Sequence, residues 1–242
     1  RSTLFPYTTL FRSSYSPDIN TEDFMAAVDF LSLCDKVDPE RIGIIGICGW
    51  GGMALNTAAL DTRIKATVAS TMYDMTRVNA KGYFDSEDSE EARYQKRAAM
   101  CAQRLTDLKE GEYALGGGVI DSLPEDALYF VKDYYDYYKT ERGYHSRSLN
   151  SNDGWTFNTQ TSLMNMRLFT YAGEIDSAVL MIHGEKAHSC YLSRDTFKLL
   201  NGENKELVII PDAVHTDLYD RKDIIPFAKI QNFFEEFLKS EK

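Results

Sequence analysis

Between Arg41 and Asn56 the chain reads Arg-Ile-Gly-Ile-Ile-Gly-Ile-Cys-Gly-Trp-Gly-Gly-Met-Ala-Leu-Asn, a β-type apolar run that breaks into glycines around one cysteine and then turns helix-like. This pattern predicts a buried strand that passes straight into a helix. So sharp a turn leaves no room for side chains beside its apex, and the apex residue is forced up and out of the fold. Gly46-Ile47-Cys48 therefore reads as the first half of a nucleophile elbow, G-x-S-x-G, with cysteine in the serine position. The alternative for Cys48 is a small buried core residue, the common fate of a free cysteine.

The flanking sequence has the same grammar. From Asn20 and Thr21, good N-cap types, Phe24, Ala27, Val28 and Leu31 recur at helical spacing, and Asp38-Pro39 closes the connection into a strand over 42–45. A helix over 53–60, a turn at Asp61-Thr62-Arg63 and a second buried strand over 64–70 follow. Helix, strand, helix, strand is the signature of an α/β fold. Over 76–177 the pattern changes to a charged helical stretch (87–109), a Gly116-Gly117-Gly118 turn, a tyrosine-rich helix and a polar loop. Strand patterns return at 178–183 and 206–210, with a helix over 193–200 between them. A closing helix over 226–238 places Phe227, Ile230, Phe233, Phe234 and Phe237 on one face. The prediction is a mostly parallel sheet with helices on both faces, built from 14–75 and 178–242, with a helical cap inserted over 76–177. In the cap, Phe130, Tyr134, Tyr137 and Tyr138 share a helix face; most are expected to pack, and some to line an entrance.

Composition excludes several function classes. A net charge of −10 repels phosphate backbones and anionic lipid, so neither nucleic acid nor a membrane surface is expected as a partner. Cys34, Cys48, Cys101 and Cys190 show no C-x-x-C spacing, which argues against zinc and against a disulfide framework. A reducing, cytoplasmic compartment is the expectation, with no metal or cofactor and a small molecule as partner. Residues 2–13, Ser-Thr-Leu-Phe-Pro-Tyr-Thr-Thr-Leu-Phe-Arg-Ser, resemble the codon-by-codon translation of a DNA-sequencing adapter. They are set aside with Arg1 as a non-native segment, the natural sequence being expected to start near Ser14 and to lack its N-terminal part.

Four stretches together carry a family resemblance: Gly46-Ile47-Cys48-Gly49-Trp50-Gly51-Gly52, Ser70-Thr71-Met72-Tyr73-Asp74-Met75, His183-Gly184-Glu185-Lys186-Ala187-His188-Ser189, and Pro211-Asp212-Ala213-Val214-His215-Thr216-Asp217-Leu218-Tyr219-Asp220. On these the chain resembles an α/β-hydrolase of the dienelactone-hydrolase-like kind. The resemblance implies a partial α/β-hydrolase fold holding the last four strands, whose first strand has an unpaired edge. It also implies Cys48 as nucleophile, His215 as proton shuttle and the Gly49 amide as one oxyanion donor. A thiol at a helix N-terminus beside an imidazole suits attack on an acyl carbon. Thiolates favour activated carbonyls, so the expected substrates are esters, lactones or thioesters of small apolar or aromatic acyl compounds.

Two departures leave alternatives open. No carboxylate stands where many hydrolases of this fold place the acid, since Gly184-Glu185-Lys186 is followed by Ala187; Glu185 and Asp74 are the two substitutes. Trp50 occupies a position that usually holds a small residue, so its indole must go into the pocket or beneath the helix. In some relatives that position is the nucleophile, a frame in which this protein would be an inactive binding protein. An acyl transferase on the same fold is a further alternative. Gly49-Trp50-Gly51-Gly52-Met53-Ala54 also matches G-x-G-x-x-A, with Asp74 downstream as in a dinucleotide site, but 76–177 lacks the further βα units such a site needs. Trp50, Tyr73, Tyr134 and His188 are the candidates for contact with substrate. His145 is expected at a cap surface, and His183 with His188 gives no metal-ligand spacing.

Overall fold

The structure is a computed structural model that describes residues 14–239. The segment read as adapter-derived lies outside the described residues. The described residues divide into two compact units, one made of 17–75 and 168–239, the other of 14–16 and 76–167. Residues 168–177, read from sequence as part of the insertion, thus cluster with the sheet.

The first unit is built on four parallel strands, β1 (Ile42–Ile47), β2 (Ile64–Ser70), β5 (Ala178–Gly184) and β6 (Lys205–Ile210), in the order β1-β2-β5-β6. Every residue of β5 is buried, as expected of a central strand covered on both faces. Among the described residues β1 pairs with β2 alone, and Ile45 and Ile47 are exposed along it. Helix α2 (Gly49–Leu60) packs on β1 and β2, and α1 (Pro17–Ser32) packs on α2. Gly46 makes this approach possible, since a Cβ there would lie 2.2 Å from the Trp50 carbonyl oxygen. On the opposite face α10 (Phe227–Phe237) covers β2 and β5. Its Phe233 joins Ala66, Val68, Leu180 and Ile182 in the core, with Ile230, Phe234 and Phe237 packed around them. Phe227, expected on the same face, is exposed.

The second unit is mostly helical: α4 (Glu90–Glu110), α5 (Tyr129–Tyr138), α6 (Leu149–Asp153) and α7 (Thr159–Asn165). A two-residue ladder joins β3 (Leu115–Gly116) to β4 (Trp155–Thr156). Ser89 caps α4, its Oγ accepting from the Ala92 amide at 3.1 Å. The other end of α4 is tied by a buried carboxylate: Asp107 accepts from the Ala114 amide (3.1 Å), Gln103 Nε2 (2.8 Å) and Asn158 Nδ2 (2.9 Å). Residues 14–16 are pinned to this unit, Ser14 Oγ bonding Thr156 Oγ1 and Ser16 Oγ bonding Ser162 Oγ, both at 3.0 Å. Among the described residues no helix is long and apolar enough to cross a membrane.

Candidate active site

The carboxyl ends of parallel strands gather functional groups, and here all four ends contribute. At the end of β1, Cys48 has φ 57 and ψ −129, left-handed backbone that a non-glycine residue holds only under strain. It is half-buried. Three backbone hydrogen bonds fix it there: its amide donates to the Ser70 carbonyl at 3.0 Å, and its own carbonyl accepts from Gly51 and Tyr73, each at 2.9 Å. The next residue, Gly49, opens α2; the first amides of a helix have no acceptor within it and point outward, available to an anion.

The end of β2 runs into Thr71, another residue with positive φ, whose amide donates to the Ile182 carbonyl at 2.6 Å and whose hydroxyl donates to the His215 carbonyl at 3.3 Å. Two residues on, Tyr73 links the cysteine to the histidines. Its amide is bonded to Cys48, while its ring lies edge-on to His215 with centroids 6.1 Å apart and tilted toward His188 at 5.8 Å. His188 and His215 are themselves 5.4 Å apart. Cys48, Tyr73, His188 and His215 are thus brought into one neighbourhood from elements far apart in sequence.

His215 sits in the loop after β6 and is completely buried. The loop is shaped by Asp212, with φ 60, and by Asp217, whose carboxylate accepts from the Val214 amide at 2.9 Å. His215 Nδ1 lies 2.6 Å from Ser189 Oγ, and its Nε2 lies 3.0 Å from the Tyr219 hydroxyl. Ser189 Oγ is in turn 2.9 Å from His183 Nε2, and His183 Nδ1 is 2.6 Å from Ser193 Oγ. The result is an unbroken chain, Ser193–His183–Ser189–His215–Tyr219, buried except at its partly exposed Tyr219 end. Burial pushes His183 down to about 3, with His188 and Arg194 adding to the effect, and burial pushes His188 down to about 4. His215 is lowered well below the usual imidazole range by burial first, then by His183 and His188. All three rings are therefore neutral at pH 7.

Of the two carboxylates proposed for the acid, Glu185 is exposed and accepts from the Asp212 amide at 3.3 Å, and Asp74 is buried directly after Tyr73. The group found on His215 Nδ1 is a hydroxyl. Trp50 is 41% exposed and packs edge-on against Phe24 of α1, ring centroids 5.8 Å apart. Tyr134 belongs to α5 in the other unit, its ring 6.2 Å from that of Tyr138. His145 is exposed, its Nδ1 accepting from the Arg147 amide at 3.1 Å. Sequence reasoning missed Ser189, Ser193 and Tyr219. Tyr219 had a signal: it follows His215 by four residues at the opening of α9 (Asp217–Asp220), the spacing that puts two side chains on one helical face. Ser189 reads as the N-cap of α8 (Cys190–Phe197), yet its hydroxyl makes no capping bond and is given to the imidazoles instead.

A parallel β-sheet with a strained residue at a strand-to-helix turn and a histidine beyond its last strand defines the α/β-hydrolase class. An α/β hydrolase from Penicillium sp. sh18, GrgF, shares this fold at 17% identity, with TM-score 0.70 over 93% of this chain and 74% of that chain. The model of the dienelactone hydrolase family matches residues 8–78. The uncharacterized protein PA2218 of Pseudomonas aeruginosa is 52% identical over 94% of this chain, and the chain spans 61% of that relative's length. The crystal structure of PA2218 aligns with TM-score 0.88 over 93% of this chain and 70% of that chain. The uncharacterized protein YcjY of Escherichia coli is 30% identical, with 94% of this chain and 74% of the relative covered. The chain belongs to the same family as PA2218 and YcjY, has the α/β-hydrolase fold, and matches the dienelactone hydrolase family over residues 8–78.

Proposed function

We propose that the protein hydrolyses ester, lactone or thioester bonds of small apolar or aromatic acyl compounds through a cysteine acyl-enzyme. The observation that carries this reading is the strained backbone of Cys48 at the strand-to-helix turn, tied through Tyr73 to the ring of His215. Strain of this kind persists only where surrounding structure over-determines it, and it clusters at reactive positions. Cys48 Sγ attacks the acyl carbon while its proton passes to His215 Nε2, and the Gly49 amide donates to the oxyanion. As the carbonyl re-forms, the bond to the leaving oxygen or sulfur breaks and that atom takes the proton from Nε2. Water then attacks the thioester, giving its proton to His215, which returns it to Sγ as the acid departs. Tyr73 and His188, packed against His215, offer ring faces with polar tips to the acyl group.

Mixing the chain with an aryl ester in a stopped-flow instrument tests this. The expected result is a burst of phenol stoichiometric with protein, abolished by Cys48→Ala and slowed by about 10²–10⁴-fold by His215→Ala. A burst that survives Cys48→Ala removes the cysteine from the mechanism. Aryl-ester binding with no burst favours a non-catalytic binding protein, a reading to which a hydroxyl on His215 Nδ1 lends weight.

A further inference from the structure

A base that works through Nε2 needs its other nitrogen protonated and held, and in the Ser-His-Asp triad a carboxylate does this. Here the atom in that place is Ser189 Oγ, 2.6 Å from His215 Nδ1 and 2.9 Å from His183 Nε2. Ser189 is fully buried at the mouth of α8, where a serine hydroxyl ordinarily caps the helix; the Leu192 amide is satisfied by the Ser189 carbonyl at 3.0 Å, leaving the hydroxyl to the two rings.

We propose, building on the Cys48–His215 reading, that Ser189 and His183 replace the acid of the triad: the hydroxyl accepts the hydrogen bond of His215 Nδ1–H, and the second imidazole fixes the direction of that hydroxyl. They are positioning residues, since neither touches substrate.

Two proton arrangements run in a single direction along the whole chain. In one, Tyr219 donates to His215 Nε2, His215 Nδ1 donates to Ser189, Ser189 donates to His183 Nε2, and His183 Nδ1 donates to Ser193. The other reverses every bond. The ends decide between them: a phenol is more acidic than an alkyl hydroxyl, so Tyr219 is the better donor and Ser193 the better acceptor. The first arrangement therefore holds at rest and leaves His215 Nε2 unprotonated, its lone pair accepting from the Tyr219 hydroxyl until the thiol takes that place. When the thiol proton arrives at Nε2, the Nδ1–H of the imidazolium keeps donating to Ser189 Oγ, whose own proton stays directed at His183 Nε2, so the charge remains on His215 and is discharged when Nε2 protonates the leaving group. The titratable rings packed on His215 include His183, His188, Tyr73 and Tyr219, with Asp217 held by the Val214 amide in the same loop and Cys48 bonded to the Tyr73 amide.

The test is a long-range 1H–15N spectrum of the full chain labelled at histidine, at pH 7, beside Ser189→Ala and Ser189→Thr. Alkylation of Cys48 by iodoacetamide is followed in parallel, peptide by peptide. The expected spectrum shows His215 and His183 neutral and protonated on Nδ1. Ser189→Ala should turn His215 into a mixture of tautomers and slow alkylation about 2- to 10-fold, as the loss of one hydrogen bond does; Ser189→Thr should restore both. His215 protonated on Nε2 in the unmodified chain, or a single tautomer retained in Ser189→Ala, overturns the proposal. Should Ser189→Ala fail to fold, Ser193→Ala is read instead: a loosened His183 tautomer supports the chain, and an unchanged one overturns it. Alkylation indifferent to His215→Ala sinks the Cys48–His215 reading while the tautomers stand, so the two failures are distinguishable.

Discussion

At the residue scale, Cys48 separates stability from function. Its φ of 57 costs on the order of 1–3 kcal/mol for a residue with a Cβ, and glycine escapes that cost. Cys48→Ala keeps the strain and loses the sulfur. Cys48→Gly relieves the strain but adds roughly 0.5–1 kcal/mol of chain entropy to the unfolded state. The glycine variant is therefore expected to be about 1 kcal/mol more stable than the alanine variant in urea denaturation, with both inert to aryl esters. An alanine variant more stable than the glycine variant by about 0.5–1 kcal/mol would mean that the turn stores no strain. Tyr219 makes a second residue-scale case, because its hydroxyl occupies the lone pair that His215 needs. Tyr219→Phe frees Nε2, and removing one hydrogen bond of about 0.5–1.5 kcal/mol is expected to speed Cys48 alkylation by about 2- to 10-fold. A slower reaction would make the hydroxyl an aid to the base and not a competitor.

At the element scale, the sequence reveals what burial and chain breakers reveal. The strands over 42–47, 64–70, 178–184 and 205–210 are apolar runs bounded by turn residues, and each lies where the pattern put it to within two residues. The start of α2 was hidden, because Gly49, Gly51 and Gly52 are poor helix formers. They are helical through tertiary demand: a Cβ on Gly51 would meet the Gly46 carbonyl and Met72 Cα, both at 3.2 Å. The hydrogen-bonded chain behind His215 was hidden for another reason. Ser189 and His215 are 26 residues apart, and nothing periodic marks a serine that forgoes its cap to bond two imidazoles. Asp107 was equally silent, a charge near the end of a polar helix that the structure buries under three donors. Asp107→Ala leaves those donors unmet and is expected to lower the stability of its unit by about 1–3 kcal/mol, read from chemical denaturation. A loss below a few tenths would show that water replaces the carboxylate. Gly46→Ala should cost about as much by driving a methyl into the backbone of α2.

At the scale of the whole molecule, three buried neutral imidazoles set how stability responds to acid. The folded state holds His183 at about 3 and His188 at about 4, and lowers His215 further still below the ordinary value of 6.5. Between about pH 6.5 and 4 the unfolded chain therefore binds protons at these positions that the folded chain does not. Stability then rises with pH across that window, by up to roughly 1.4 kcal/mol per pH unit for each such group, and is level above it. The carboxylates act in the same direction but lower down: side-chain bonding to Arg63 holds Asp61 below the usual range, bonding to Lys81 does so for Asp88 and bonding to Lys186 for Asp212. Their contributions are present above about pH 4 and are lost below it, so they leave the slope between pH 6.5 and 4.5 to the histidines. Urea denaturation at half-unit steps is expected to show a plateau above pH 6.5 and below it a decline steeper than one proton allows. His188→Phe, which removes one of the three groups, should reduce that slope by about one proton, roughly 1.4 kcal/mol per pH unit. A stability curve that stays level down to pH 4.5 would require the imidazoles to be charged in the folded state, and the hydroxyl chain behind His215 would then have to carry protons differently from the arrangement derived above.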